Sequence, residues 1–69
     1  MEIAERLSHL VPHWIEHNES HVEQLEEWAA RAREAGLTQA AEEIGAAAGA
    51  MREATAALHR ARAALEAAR

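Results

Sequence analysis

One break interrupts an otherwise continuous run of helix-compatible sequence: Ala35-Gly36-Leu37-Thr38, near the middle of the 69 residues. Glycine suits the left-handed residue just past a helix end, and threonine two positions later suits the N-cap of the next helix. The charges agree with that division. Glu2 and Glu5 open the first segment and Arg31 and Arg33 close it, while Glu42 and Glu43 open the second and Arg60, Arg62 and Arg69 close it, each set complementing a helix dipole. The expected fold is all-α: one domain over residues 1–69, an antiparallel two-helix hairpin with helix 1 over about 2–35, a turn at 36–38 and helix 2 over about 39–68.

Pro12 is the irregular residue inside helix 1. A proline there removes one hydrogen bond and pushes against the preceding turn, at a cost of roughly 3 kcal/mol. The alternatives are a long helix bent near Pro12, which is the expectation here, or a helix that starts there with Ser8 as its cap.

Periodicity supplies a register. In helix 1, Ile3, Leu7, Leu10, Trp14, His17, His21, Leu25, Trp28, Ala32 and Ala35 follow one another at steps of three or four. This predicts a seam in which two histidines interrupt the apolar contacts. In helix 2, Leu37, Ala41, Ile44, Ala48, Met51, Thr55, Leu58, Arg62 and Leu65 form the matching seam, flanked by alanines at 40, 47, 54, 61 and 68. Such an alanine row offers a second flat face to another helix.

A lone hairpin cannot surround its own apolar stripe, and 69 residues is near the size at which one core is marginal without a metal, a disulfide or a partner chain. Cysteine is absent, which excludes disulfides and thiolate metal sites. The economical answer is a homodimer that forms a four-helix bundle. Docking onto another protein, or onto a fused metal-binding domain, is the alternative. A nucleic-acid partner is not expected, because the net charge is −5 and the seven basic residues are scattered arginines. Nor is a membrane partner, since no apolar run approaches 18 residues, and the charged MEIAERLSHL start does not read as a signal peptide. The expected location is the cytoplasm.

The chemistry is concentrated in HLVPHWIEHNESH, where histidines recur at 9, 13, 17 and 21. Residues four apart lie on adjacent turns of one helix face, close enough for two imidazoles to hold one ion. Each such step also rotates by about 40°, so one ion takes two neighbouring ladder histidines, rarely three, and needs ligands from elsewhere. If the turn centres on Gly36 and Leu37, His59 falls opposite Trp14, between His13 and His17, and His21 falls opposite Arg52. His13, His17 and His59 then form a candidate three-nitrogen site, with Glu16 or a residue of a dimer mate as the fourth ligand. Eight Glu against three Arg in residues 2–35 would favour approach of a cation. Imidazole-rich sites suit Zn, Ni, Cu or Fe. The competing interpretation is structural: seam histidines hydrogen-bond across a bundle and fix its register, as a buried Asn does in coiled coils. Trp14 and Trp28 read as core anchors and Met51 as gap-filling core. No glycine-rich loop, nucleophile elbow or Glu-x-x-His pair is present, and no catalytic activity is expected.

The segment LVPHWIEHNESHVEQLEEWAARA resembles a small domain family of unknown function with a Pro-His-Trp-Ile-Glu-His-Asn-Glu-x-His core, an acidic Trp-containing helix and an alanine-rich second helix. Such domains occur alone or attached to CooT-like nickel-binding proteins. The resemblance covers most of the chain and is specific at Pro12 to His21, with Trp28 also fitting. It implies a metal-related role, with Ni or Zn as the divalent ion, and points to His13, His17 and His21. His9 and His59 lie outside the shared core. The combined expectation is a metal-binding module with a chaperone, storage or sensing role, against a purely structural or oligomerisation module.

Overall fold

A computed structural model describes residues 2–68 and contains two α-helices, α1 (Ile3–Glu34) and α2 (Thr38–Ala67), folded back along each other. The turn between them is built as the Ala-Gly-Leu sequence dictates. Gly36 takes φ 82°, the Leu37 N–H donates to Ala32 O at 2.9 Å and the Gly36 N–H donates to Arg33 O at 3.0 Å. These are the two bonds of a Schellman motif, which satisfy carbonyls that the end of α1 would otherwise leave open. Leu37 rather than Thr38 occupies the N-cap of α2, and no side chain caps it. Thr38 is the first helical residue, so its expected capping role is not realised.

The dipole pattern holds for α1, with Glu5 in the first turn and Arg31 and Arg33 in the last. It fails for α2, whose first and last turns carry no acidic and no basic residue respectively. Glu42 and Glu43 come one turn too late, Arg60 and Arg62 one turn too early, and Arg69 lies outside the described residues.

α1 runs unbroken through Pro12. A straight helix of its 32 residues would be about 48 Å long, and the molecule measures 51 × 14 × 12 Å. That leaves no room for a large bend. Ser8 is not a cap: it lies inside the helix and its hydroxyl donates to Ala4 O at 2.9 Å.

The seam of α2 follows the expected one from Ala41 to Leu65, with Ala41, Ala48 and Thr55 buried and Ile44, Met51, Leu58 and Leu65 half-buried, but the expected members Leu37 and Arg62 are exposed. The seam of α1 keeps Leu7, Leu25 and Ala32 of the expected stripe and otherwise differs. Val11 (3% exposed), Ile15 (5%) and Ala29 are buried, and Leu7, Asn18, Val22, Leu25 and Ala32 are half-buried between them. This stripe also runs at steps of three and four, but it sits one position past the one built on Trp14, His17 and His21, about 100° around the helix. The size of the opposing residues explains the choice. Ala41 and Ala48 are fully buried, and small residues on one helix favour a close approach of the other, which suits β-branched Val and Ile better than an indole. Trp14 and Trp28 remain 41% and 56% exposed, and neither is the core anchor expected from sequence.

Candidate metal site

The shift of seam moves the histidine ladder to the outside. His9, His13, His17 and His21 are all exposed, and none interrupts the packing of the hairpin. Regular α-helix from residue 9 to 21 still holds them on successive turns, as the i, i+4 spacing requires. Their mutual geometry varies along the ladder. His13 and His17 have ring centroids 6.2 Å apart at 29°, a loose stack. His17 and His21 are in contact, with centroids 4.6 Å apart, rings at 78° and the two Nε2 atoms 3.1 Å apart.

That last distance has two chemical readings. With both rings neutral, one Nε2–H donates to the other Nε2. Alternatively, two imidazole nitrogens about 2.0–2.1 Å from one Zn²⁺ and separated by 3.1 Å subtend about 98° at the metal, between octahedral and tetrahedral values. The separation is compatible with either a hydrogen bond or two nitrogens on one ion. The pair is not a complete site: among the described residues no group of three or more His, Cys, Asp or Glu converges to hold an ion.

The other candidate ligands lie elsewhere. His59 shares an open groove with Glu19, Val22, Arg52, Thr55 and Ala56. On α1, Glu19 flanks the packing seam on the side away from His21, and the anticipated His13–His17–His59 cluster does not form. Arg52 pairs with Glu26 rather than facing His21. Two things keep His59 and the ladder apart. The Glu26–Arg52 ion pair places α2 about one turn further along than a turn centred on Gly36–Leu37 would give, which brings His59 level with His17 and His21 rather than His13 and His17, and His59 lies on the Glu19 flank of the seam, away from the ladder. The first turn of α2 projects past the end of α1 before the helices come abreast. Glu16 is exposed, and among the described residues it forms no three-ligand group with the ladder histidines.

Around the chelating pair lies the feature that periodicity misassigned. Leu10 and Trp14 precede His17, and Trp28 follows His21, all on the exposed stripe of α1. Near the turn, Trp28 lines an apolar recess with Ala32, Ala35, Leu37, Ala40 and Ile44, and the Arg31 guanidinium stacks over its indole at 4.8 Å. The signal that would have separated the two stripes is the β-branched character of Val11, Ile15 and Val22 against the alanines of α2. No helix of the described residues is long and apolar enough to cross a membrane.

Neither a curated protein nor a solved structure matches the sequence. Residues 7–65, which include the whole Pro-His-Trp-Ile-Glu-His-Asn-Glu-Ser-His segment and most of both helices of the hairpin, match the family described as Domain of unknown function (DUF8180), and the chain belongs to that family.

Proposed function

We propose that this protein is a divalent transition-metal-binding helical module in which His17 and His21 form the primary chelate and His13, one turn away, is the neighbouring donor. The observation that carries this reading is the 3.1 Å Nε2···Nε2 separation on a regular helix. It matches the bite of two imidazoles on one ion. Zn and Ni are the favoured ions, Ni also because of the resemblance to domains attached to CooT-like nickel-binding proteins. Exposed, incomplete coordination suits a protein that accepts and releases metal, as a chaperone, store or sensor does, and no enzymatic activity is assigned.

A structural reading has its own support. The same contact is a hydrogen bond between neutral rings, and the tryptophan-flanked stripe suits helix pairing without any ion. Thermal unfolding in EDTA, Zn²⁺ and Ni²⁺ separates the two. An ion that binds only the folded state adds about 2.7 kcal/mol at one hundred times its Kd. For 69 residues this raises the midpoint by more than 10 °C, at about 7 °C per kcal/mol. The rise should vanish in His17→Ala. A midpoint that no metal and no chelator moves would leave the structural reading.

A further inference from the structure

The chelating pair lacks half of a coordination sphere, and the face that bears it lacks a cover. The hairpin exposes 5044 Å². A folded monomer of its 7.6 kDa typically exposes about 4,300 Å². The excess, about 750 Å², is close to the roughly 800 Å² that each partner contributes to a standard-sized interface. Exposed Leu10, Trp14 and Trp28 lie on the stripe that carries His17 and His21. The residues on that stripe are Leu10, Trp14, His17, His21, Gln24 and Trp28, whose spacing is symmetric about residue 19, with the two histidines at its centre. Set against a copy of itself with α1 antiparallel to α1, it brings Leu10 opposite Trp28, Trp14 opposite Gln24 and His17 opposite His21. No unrelated partner is needed to supply that complementarity.

We propose that two copies associate through this stripe of α1, antiparallel about residue 19, and that His17 and His21 of both copies close around one divalent ion on the two-fold axis. The site then has four imidazole nitrogens, the donor set that suits tetrahedral Zn²⁺ and also accepts Ni²⁺. Trp14 of each copy flanks it, one turn from His17, while Trp28 packs with Leu10 of the other copy further out along the interface. The isologous interface buries the stripe of each hairpin while leaving the Glu26–Arg52 flank in solvent. This inference rests on the His17–His21 chelate proposed above and adds that a second copy completes it.

The test measures stoichiometry and mass together. Titration calorimetry with Zn²⁺ and native mass spectrometry should give one ion per two chains, and sedimentation should show dimerisation at least tenfold tighter with Zn²⁺ than in EDTA. His17→Ala and His21→Ala should each abolish the linkage while keeping the helical circular dichroism. Trp28→Arg should weaken the dimer with the ligands intact. Oxidising a mixture of Trp14→Cys and Gln24→Cys chains should give crosslinked heterodimers faster than either variant alone gives homodimers. One ion bound per monomeric chain would overturn this inference and leave the proposed metal binding standing. A zinc-independent dimer with no bound ion would overturn both. Faster crosslinking of Gln24→Cys with itself would overturn the antiparallel arrangement.

Discussion

Ile15→Ala decides between the two stripes that the sequence offers for packing α1 against α2. Ile15 is 5% exposed, whereas His17, two residues on, is exposed. The substitution removes three buried carbons, about 2.4 kcal/mol at roughly 0.8 kcal/mol each. Alanine returns a few tenths through its better helix propensity, leaving a net loss of about 2 kcal/mol. This sits at the low end of the range for Ile→Ala in protein cores, as befits a hairpin with no large side chain fully buried. At about 7 °C per kcal/mol for a chain of 69 residues, the midpoint should fall by about 14 °C. His17→Ala, measured in EDTA so that no ion contributes, should change stability by no more than about 0.5 kcal/mol, as expected at an exposed helical site. The assay is thermal unfolding followed at 222 nm at several protein concentrations, which keeps the seam separate from any association. If His17→Ala in EDTA costs as much as Ile15→Ala, the histidines occupy the packing seam and the register described here is wrong.

Three further substitutions probe the frame that holds the ladder. Gly36→Ala should cost about 1–2 kcal/mol, because φ is 82° and a Cβ there meets nothing within 4 Å, so the penalty is backbone strain alone; a melting point within 3 °C of wild type would refute it. Pro12→Ala should raise the midpoint by restoring a donor in the middle of α1, where proline costs up to roughly 3 kcal/mol, less the apolar contact that half-buried Pro12 makes beside Leu65; a fall in the same melt would show that the contact outweighs the hydrogen bond. A double-mutant cycle on Glu26 and Arg52 should give a coupling of only about 0.2–1 kcal/mol, since both side chains are more than half exposed. A larger value would mean that this ion pair, rather than the alanine seam, sets the register of the hairpin.

The elements were legible because their signals are local. Gly36 marks the turn by its backbone freedom, and the seam of α2 from Ala41 to Leu65 has no competing stripe of large residues. The seam of α1 was not legible, because two stripes with the same spacing overlap and the heavier one, with both tryptophans, carries more hydrophobic mass. Which one turns inward depends on the opposing helix. Ala41 and Ala48 favour a short interhelical distance, a property of the pair that the periodicity of α1 alone does not contain. The same limitation misplaced His59. One turn of register brings it level with His17 and His21 instead of His13 and His17, and the rotation of α1 leaves it on the Glu19 flank of the seam, away from the ladder. The spacing of His17 and His21 needed no partner helix, and there the sequence and the structure agree.

Facing the ladder outward changes what a bound ion can do. Histidines inside the seam would have made metal binding part of hairpin folding: without the ion, polar rings would sit unsatisfied against Thr55 and the alanines, and the fold itself would depend on loading. Outside it, the apo hairpin keeps its imidazoles in water and its packing intact, since Val11, Ile15 and Ala29 hold α1 to α2 without them. On the proposed reading, the free energy of coordination is then available for bringing a second ligand-bearing surface onto the stripe rather than for ordering the hairpin. Asn18 fits this division. It is the half-buried polar residue of the α1 seam, placed between Ile15 and Val22, the kind of position at which an asparagine holds helix register at some cost in stability. Half-buried Asn18 and the histidines proposed to take the ion are thus neighbours in sequence on different faces, so that on the proposed reading metal occupancy would change assembly without changing the fold.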